Sequence, residues 1–393
     1  MAQSHLLQVA VPVLLLMGCA TEYAPPPAGV PTASLTLSTT SYGTVSIVGA
    51  SATTCPSPVK STLAGLSFAL TGASLAESTK RSSPVRVTLQ AGFTTVRDVG
   101  NEGSHDADVA LRDAIDRGLV EGPRMRVATR AIAAIGQYHP FGTSSDLQGF
   151  PAGAQAVSGV DEARRAVREQ IGRGADLIKV YADWSAPTLT LAELQVVVEE
   201  AHKAGRKVAA HAGTLEGIRN AVAAGVDSIE HGTHADQDVL RSMKAKGVFL
   251  VPTLAVADAW AAQSAENAAS PQIKAHREAA RRTVEAARAI GVKIVNGSDP
   301  SASDRHGRNA EELVALTRRG LSAFEAIQAA TTLAADLLGM ADHIGTLEAG
   351  KYADLIAVEG NPLHDIAVLL RVKFVMKGGL VIKNDLSLLR SVR

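Results

Sequence analysis

The chain has 393 residues, and its 39 Lys and Arg residues balance 39 Asp and Glu residues, so the formal net charge is zero. This balance gives no indication of a nucleic-acid partner or of an acidic surface as partner. The composition, 46% hydrophobic and 20% charged, is that of an ordinary globular protein. No apolar run approaches the roughly 20 residues of a membrane-spanning helix.

Both cysteines, Cys19 and Cys55, lie near the N-terminus. The chain from residue 56 onward has no thiol, which excludes a disulfide scaffold or a zinc–thiolate site there. Any metal bound by this part of the chain would need His, Asp, Glu or modified Lys ligands.

The N-terminal residues 1–19 are a candidate signal segment. The apolar run LLQVAVPVLLLMGCA ends near Leu16-Met17-Gly18-Cys19, which is close to a bacterial lipoprotein cleavage box and makes Cys19 a candidate lipid anchor. Only His5 precedes the run, whereas signal peptides normally begin with basic residues. Two interpretations stay open: an exported protein, periplasmic or lipid-anchored, and a cytoplasmic protein with an accidental apolar tail.

Residues 20–87 form an atypical, low-complexity segment rich in Ser, Thr, Pro and Ala. Alternation of apolar and polar residues is limited to fragments such as 44–48. This composition indicates a weakly ordered segment.

From residue 88 the pattern changes to short apolar runs that alternate with amphipathic helical stretches. The apolar runs are TTVRDV (94–99), RMRVAT (124–129), DLIKVYA (176–182), KVAAHA (207–212), SIEHG (228–232), VFLVPTL (248–254) and KIVNGSD (293–299). The glycines that end the helical stretches are Gly118, Gly174, Gly205, Gly225, Gly247 and Gly291. Strands alternating with helices predict an α/β fold with a parallel sheet.

Seven such units can be counted, whereas a (β/α)8 TIM-like barrel needs eight, so the first barrel strand is doubtful. A doubly wound open sheet is the alternative, although the chain has no GxGxxG after a first strand and no GxxxxGK[ST]. We expect a barrel over residues 88–343. Residues 344–393 read as short strands, with a hairpin turn at Lys377-Gly378-Gly379, and predict part of an appended β-sandwich.

Polar residues close several of the predicted strands: Lys179 and Tyr181, His211, His231 and Asp299, with His139 in the loop after RMRVAT. In a parallel barrel, side chains at the carboxyl ends of the strands meet at one mouth. Imidazoles and carboxylates without thiolates suit zinc, manganese or a similar divalent ion. Taken singly, each residue could instead be structural, for example Asp299 capping the turn before Pro300.

A set of motifs over roughly residues 88–385 resembles the amidohydrolase superfamily, in its imidazolonepropionase-like and Xaa-Pro dipeptidase-like branch. These motifs are AGFTTVRDVG (91–100), GADLIKVYADW (174–184), VAAHAGTLEGIRNAVAAGVDSIEHG (208–232), VPTL (251–254), VNGSD (295–299) and the tail from Ile327 to Leu363 that contains GTLEAGKYADL. The resemblance implies a metal-dependent hydrolase that cleaves an amide or other C–N bond of a small molecule, such as a dipeptide. The alternative within this branch is an Xaa-Pro-type dipeptidase.

The resemblance also implies roles for individual residues. Lys179 would be carboxylated and bridge two metals, and His211 and His231 would bind the second metal. Asp299 would bind the first metal and act as general base. His139 would polarise the substrate carbonyl, and Tyr181 and His306 would contact substrate. The implied cofactor is a divalent metal, with zinc as the first choice, at one or two ions per chain. Self-association into a homo-oligomer stays open.

The chain departs from the family in one respect: it contains no His-x-His, the pair expected at the end of the first barrel strand. Three explanations compete: a reading-frame change upstream of about residue 88, a homologue that has lost catalysis and only binds small molecules, and an enzyme with a single metal. SFAL (67–70) or TVSIVGA (44–50) could replace the missing strand, but neither offers a ligand.

Overall fold

The computed structural model describes residues 83–101, 103–138, 153–184, 188–300 and 303–386, and the backbone of two further strands at 35–39 and 45–49. The predictions for residues 1–34, for SFAL (67–70) and for His139 lie outside the described residues. The export and lipid-anchor interpretations therefore stay predictions. Among the described residues, no helix combines the length and the apolar character that crossing a bilayer requires.

Thirteen strands lie in the described part of the chain. They are β1 (Leu35–Thr39), β2 (Val45–Gly49), β3 (Thr95–Asp98), β4 (Arg124–Val127), β5 (Ala131–Ala134), β6 (Ala154–Val157), β7 (Leu177–Tyr181), β8 (Lys207–Ala212), β9 (Ser228–His231), β10 (Phe249–Val251), β11 (Leu355–Ala357), β12 (Phe374–Lys377) and β13 (Leu380–Asn384).

The helices of the described residues follow most strands in the expected alternation. They are α1 (Pro84–Gln90), α2 (Ala107–Asp116), α3 (Val160–Gly172), α4 (Leu191–Lys203), α5 (Leu215–Ala224), α6 (Gln237–Lys246), α7 (Leu254–Ala262), α8 (Ala265–Ala269), α9 (Pro271–Ile290), α10 (Glu311–Arg318), α11 (Ala323–Ala330) and α12 (Thr332–Leu338), with 3-10 helices at Ser303–Arg305 and Ile366–Arg371.

The central sheet is parallel and has the strand order β10-β9-β8-β7-β5-β6. A second, two-stranded parallel sheet, β3 with β4, lies next to it: β4 leads into β5, and the Asp176 amide, just before β7, donates to the Val127 carbonyl of β4 (2.8 Å). At the other edge, Leu250 of β10 forms a parallel bridge with Ile294. The predicted α/β fold with parallel strands is therefore confirmed.

Two details of the strand prediction were wrong. The run 293–299 contributes only the bridge at Ile294, because the Asn296 amide turns away to donate to the Ala329 carbonyl (3.0 Å). The strands β5 and β6 were missed, since their alanine-rich sequences, AIAA and AQAV, carry little β-propensity. Both become strands because parallel neighbours satisfy their backbone groups.

The N-terminal run TVSIVGA does form a strand, β2, but it does not add a strand to the central sheet. It pairs antiparallel with β1 in a separate two-stranded sheet, with Leu35 opposite Gly49 and Thr39 opposite Val45. The suggestion that 44–50 replaces the missing barrel strand was therefore wrong. A short connection lets two neighbouring segments satisfy each other's backbone groups locally.

Local sequence signals explain where the helices begin and end. Thr190 and Glu193 form a reciprocal capping box at the start of α4. The predicted terminal glycines adopt positive φ, and Gly225, Gly247 and Gly291 are themselves left-handed C-caps. Most residues of the central strands are buried, because a parallel sheet with helices packed on it exposes little of either face.

The C-terminal residues form a three-stranded antiparallel sheet, β11-β12-β13. The predicted turn is confirmed: Gly378 and Gly379, with φ of +57° and +83°, join β12 to β13. Asp354 accepts two hydrogen bonds from Arg124 (2.5 and 3.0 Å), which ties this sheet to the start of β4. The expected boundaries at residues 87/88 and 343/344 stay predictions.

Candidate active site at the carboxyl ends of the strands

The structure brings five of the seven predicted site residues to one end of the central sheet. Lys179 and Tyr181 lie on β7, His211 on β8 and His231 on β9. Tyr181 is in register with His211, and Ala212 with His231, so parallel pairing alone sets the residues side by side. The imidazole centroids of His211 and His231 are 4.5 Å apart.

Asp299 joins this group from the segment that follows the Ile294 bridge. Its side chain is exposed, and its charge acts on His231, so the carboxylate lies at the open side of the group. The roles of the remaining two predicted residues stay predictions. His139 lies outside the described residues. His306 lies in the turn after the 3-10 helix Ser303–Arg305, where burial alone lowers its pKa.

The backbone at this end of the sheet adopts an uncommon conformation. Four non-glycine residues have positive φ: Thr129 (+59°) after β4, His231 (+71°) at the end of β9, Thr253 (+48°) after β10 and Asp299 (+43°) in the segment after Ile294. Left-handed backbone is unfavourable for such residues, especially for β-branched threonine, and costs about 1–3 kcal/mol at each position. Such residues persist only where the surrounding structure holds them, and they cluster at functional sites.

Thr253 holds the His231 ring. The Nδ1 atom of His231 lies 2.6 Å from Thr253 Oγ1 in a partly buried hydrogen bond. A neutral imidazole uses one nitrogen as donor and the other as acceptor, so this contact leaves Nε2 free to serve as a ligand atom.

Asp183 organises the loop beside His211. Its fully buried carboxylate accepts hydrogen bonds from the Gly213 amide (2.9 Å), the Thr214 amide (2.8 Å) and the Thr214 hydroxyl (2.7 Å). Its Oδ1 atom lies 3.8 Å from Nε2 of His211. The carboxylate is therefore on the Nε2 side of the ring.

A largely buried ion pair lies next to His231 in the chain. Arg97 of β3 donates hydrogen bonds to Glu230 (2.8 Å) and to Ser228 (3.0 Å) of β9. These two hydrogen bonds connect β3 to the central sheet at β9. Burial by itself would raise the pKa of Glu230. The positive charges of Arg97 and Lys179, with a hydrogen bond from Ser228, outweigh it and lower that pKa.

Both histidines are neutral near pH 7. Burial, with the nearby His231 and Lys179, holds the pKa of His211 well below its usual value. Burial also lowers the pKa of His231, helped by Lys179 and opposed by Asp299. Neutral imidazoles are the form that binds metal ions.

The donor set fits a metal ion only if Lys179 takes part. Within the described residues, no three His, Cys, Asp or Glu side chains are placed to hold a metal by themselves. Lys179, which is 4% exposed, lies close enough to both histidines for its charge to act on them. An uncharged or carboxylated Lys179 would supply the third donor.

Several residues of this region were missed in the sequence. Thr253 and Asp183 lie within the quoted motifs VPTL and KVYADW, but a threonine or aspartate beside a ligand carries no distinctive spacing. The Arg97–Glu230 pair joins residues 133 positions apart, and only the tertiary arrangement of β3 and β9 brings them together.

Three proteins of known identity resemble this chain. Ochratoxinase from Aspergillus niger is 34% identical over 326 residues, covering 75% of this chain and 66% of that protein. Imidazolonepropionase from Symbiobacterium thermophilum is 30% identical over 184 residues, covering 46% of this chain and 39% of that protein. A solved Xaa-Pro dipeptidase with bound methionine is 38% identical, with a TM-score of 0.69, covering 76% of this chain and 77% of that chain. This chain thus spans slightly less than two thirds of the length of ochratoxinase.

The solved structure of the A. niger ochratoxinase has the same fold, with a TM-score of 0.68, 33% identity and coverage of 82% of this chain and 78% of that chain. The sequence model of the Amidohydrolase family matches residues 72–382, which includes every strand from β3 to β12. The expected α/β barrel fold and the expected branch of relatives are confirmed. The chain belongs to the amidohydrolase family, a family of hydrolases whose superfamily generally binds divalent metals.

Proposed function

We propose that this protein is a metal-dependent hydrolase that cleaves an amide or related C–N bond of a small molecule with a metal-activated water. The observation that carries the proposal is the convergence of Lys179, His211, His231 and Asp299 at the carboxyl ends of the strands. Membership of the amidohydrolase family supports it.

A carbamate on Lys179, with His211 and His231, would hold the ion. Three protein ligands with one open position is the usual arrangement of catalytic zinc, and zinc is the ion we propose. When bound, a divalent ion polarises the scissile carbonyl and lowers the pKa of water.

Asp299 would serve as general base at the open side of the site. Its exposed carboxylate accepts a proton from the attacking water and returns that proton to the leaving nitrogen. The water oxygen first forms the new C–O bond at the carbonyl carbon, and the C–N bond then breaks as the nitrogen takes up the proton, so the products are a carboxylate and an amine. Tyr181, whose ring contacts those of Tyr138 and Trp184, would contact the substrate. The resemblance assigns the same role to His306, and His139 would polarise the substrate carbonyl.

The test compares Asp299→Asn with Asp304→Asn, an exposed aspartate in the nearby 3-10 helix, on a panel of N-acyl amino acids and dipeptides. We expect zinc-stimulated hydrolysis by the wild type and by Asp304→Asn. Asp299→Asn should lose about 10²–10⁴-fold in kcat, as for other general bases. Activity of Asp299→Asn equal to that of the wild type would rule out the proposed base.

An Xaa-Pro-type dipeptidase is the second candidate, favoured by the 38% identity to the solved Xaa-Pro dipeptidase. Preference for Xaa-Pro dipeptides over matched N-acyl amino acids would select this candidate.

A binding protein without catalysis is the third candidate, favoured by the lack of His-x-His in the sequence. Saturable binding of an amide with no turnover, in protein loaded with zinc, would select it over both hydrolases.

A further inference from the structure

Glu312, a buried carboxylate that the proposed reaction does not use, caps the helix that follows β10. It lies on α10, and its side chain is fully buried. One carboxylate oxygen accepts a hydrogen bond from the Leu254 amide (3.0 Å), and the other accepts one from the Ala255 amide (2.7 Å). These are the first two amides of α7, so Glu312 joins α10 to the start of α7.

The first turn of α7 needs an acceptor from outside the helix. The first four amides of any helix have no partner within it. Residues 254–257 are all buried, so water has little access to these amides, and an unpaired buried amide is costly. The usual acceptor is the side chain of the residue just before the helix, which here is Thr253.

Thr253 does not cap the helix that it opens. Its φ and ψ are both +48°, in the left-handed region, whereas a capping residue normally has extended backbone. Within the described residues, its side chain makes no capping hydrogen bond to α7. Its hydroxyl lies instead 2.6 Å from Nδ1 of His231. Glu312 therefore takes the place of the cap, and the Thr253 hydroxyl is left for the histidine.

The start of α10 is also tied to the segment that carries Asp299. The side-chain amide of Asn309, three residues before Glu312, donates to the Ser298 hydroxyl (2.8 Å). Asn309 is buried, and Ser298 directly precedes Asp299 in the chain. The short segment 309–312 thus contacts the neighbour of Asp299 and the helix opened by the partner of His231.

We propose that Glu312 is a positioning residue for the candidate metal site: by capping α7, it holds Thr253 where the threonine hydroxyl orients the His231 ring. The inference rests on the proposed function, in which His231 is a metal ligand, and deepens it by naming what fixes that ligand. Residues that orient a ligating histidine from outside the ligand set tune metal affinity.

Zinc affinity of the full-length protein, measured at one pH by competition with a chromophoric chelator, tests this role. Glu312→Ala removes both acceptor oxygens and should weaken zinc binding by about 10–100-fold. Glu312→Gln keeps one acceptor oxygen and should bind zinc more tightly than Glu312→Ala. Val239→Ala, at a buried position on α6, should lower stability and leave zinc affinity unchanged. A loss in Val239→Ala as large as in Glu312→Ala would show that affinity merely follows stability, and would overturn the role.

A double-mutant cycle tests whether Glu312 acts through Thr253. If it does, the combination of Thr253→Val with Glu312→Ala should weaken zinc binding no further than the more damaging single variant. The same cycle with Glu312→Gln applies the test to a protein that keeps part of the cap and is therefore less disturbed in its fold. Fold-losses that multiply in the double variants, or an unchanged affinity in Glu312→Ala, would overturn the proposal.

A readout in the metal-free protein separates this inference from the proposed function. The ring nitrogen chemical shifts of His231, assigned by comparison with His231→Gln, report which nitrogen carries the proton. The wild type should show one tautomer and Glu312→Ala a mixture of two. That result, with a wild type that hydrolyses no amide, would refute the function and leave the positioning role standing. A single tautomer in both proteins, with zinc-stimulated hydrolysis by the wild type, would leave the function standing and refute the positioning role.

Discussion

Nδ1 of His231 and Oγ1 of Thr253 lie 2.6 Å apart, and this hydrogen bond joins the end of β9 to the residue that opens α7. Both residues have positive φ, so neither backbone is in its most favourable conformation. The contact turns the ring so that Nε2 is the nitrogen left for a ligand. An outer-shell partner of this kind fixes the orientation and tautomer of a metal-binding histidine.

Replacing Thr253 by valine should weaken zinc binding by about 10–100-fold, because the His231 ring loses the partner that orients it. Valine keeps the shape and β-branching of threonine, so the fold should persist. Zinc affinity is measured by competition with a chromophoric chelator. Thr317→Val removes a hydroxyl that donates to the Val314 carbonyl on α10, and it should leave zinc affinity unchanged. Equal zinc affinity in Thr253→Val and wild type would contradict the positioning role.

Gly217→Ala should destabilise the protein although it lies in helix α5. A Cβ atom at Gly217 would come 2.1 Å from Oδ2 of Asp183, whose buried carboxylate is held by the 213–214 amides. Helix propensity alone would favour alanine by about 1 kcal/mol. We expect overpacking to reverse the sign and lower the free energy of unfolding by about 1–3 kcal/mol.

Gly172→Ala is the matched control for that change. A Cβ atom at Gly172, the last residue of α3, would meet no atom within 4 Å. It should be neutral or stabilising by up to about 1 kcal/mol. Chemical denaturation of both variants gives the comparison, and a stabilised Gly217→Ala would mean that Asp183 is not held as rigidly as its hydrogen bonds indicate.

Glu312 should make stability fall as the pH rises. Burial raises its pKa to about 7, although its carboxylate accepts hydrogen bonds from the Leu254 and Ala255 amides at the start of α7. The folded state therefore binds the proton more tightly than the unfolded state, for which 4.5 is the ordinary value. Between these two pKa values the free energy of unfolding should fall, by about 3 kcal/mol in all by pH 8.

Glu312→Gln removes this titration while keeping an acceptor for the amides. The stability of Glu312→Gln relative to wild type should therefore increase from pH 4.5 to pH 8. Glu266→Gln, at an exposed position on α8, should follow the wild type across the same range. Parallel curves for wild type and Glu312→Gln would show that Glu312 stays ionised in the folded protein.

The purified chain should bind at most one zinc ion tightly. Lys179, His211 and His231 supply one set of ligands, and the sequence has no His-x-His to supply a second. Elemental analysis of protein after size-exclusion chromatography gives the ratio. Lys179→Ala should reduce the ratio well below one, and two tightly bound ions per wild-type chain would show that other residues complete a second site.

The sequence by itself determined the alternation of strands and helices and the order of the polar residues that end the strands. KVAAHA became β8 with the predicted bounds, because it lies between the helix-ending Gly205 and the N-capping Thr214 and occupies a strand position in the alternation of strands and helices. Lys179, His211 and His231 could be singled out because parallel strands place their carboxyl ends together whatever their side chains.

Only the tertiary structure decided what holds those residues in place. The strands β5 and β6 consist largely of alanine, and pairing with neighbours rather than propensity makes them strands. Thr253 meets His231 across 22 positions, and Arg97 meets Glu230 across 133. Such contacts join side chains that share no local spacing, so they arise only when the tertiary fold brings distant segments of the chain close together.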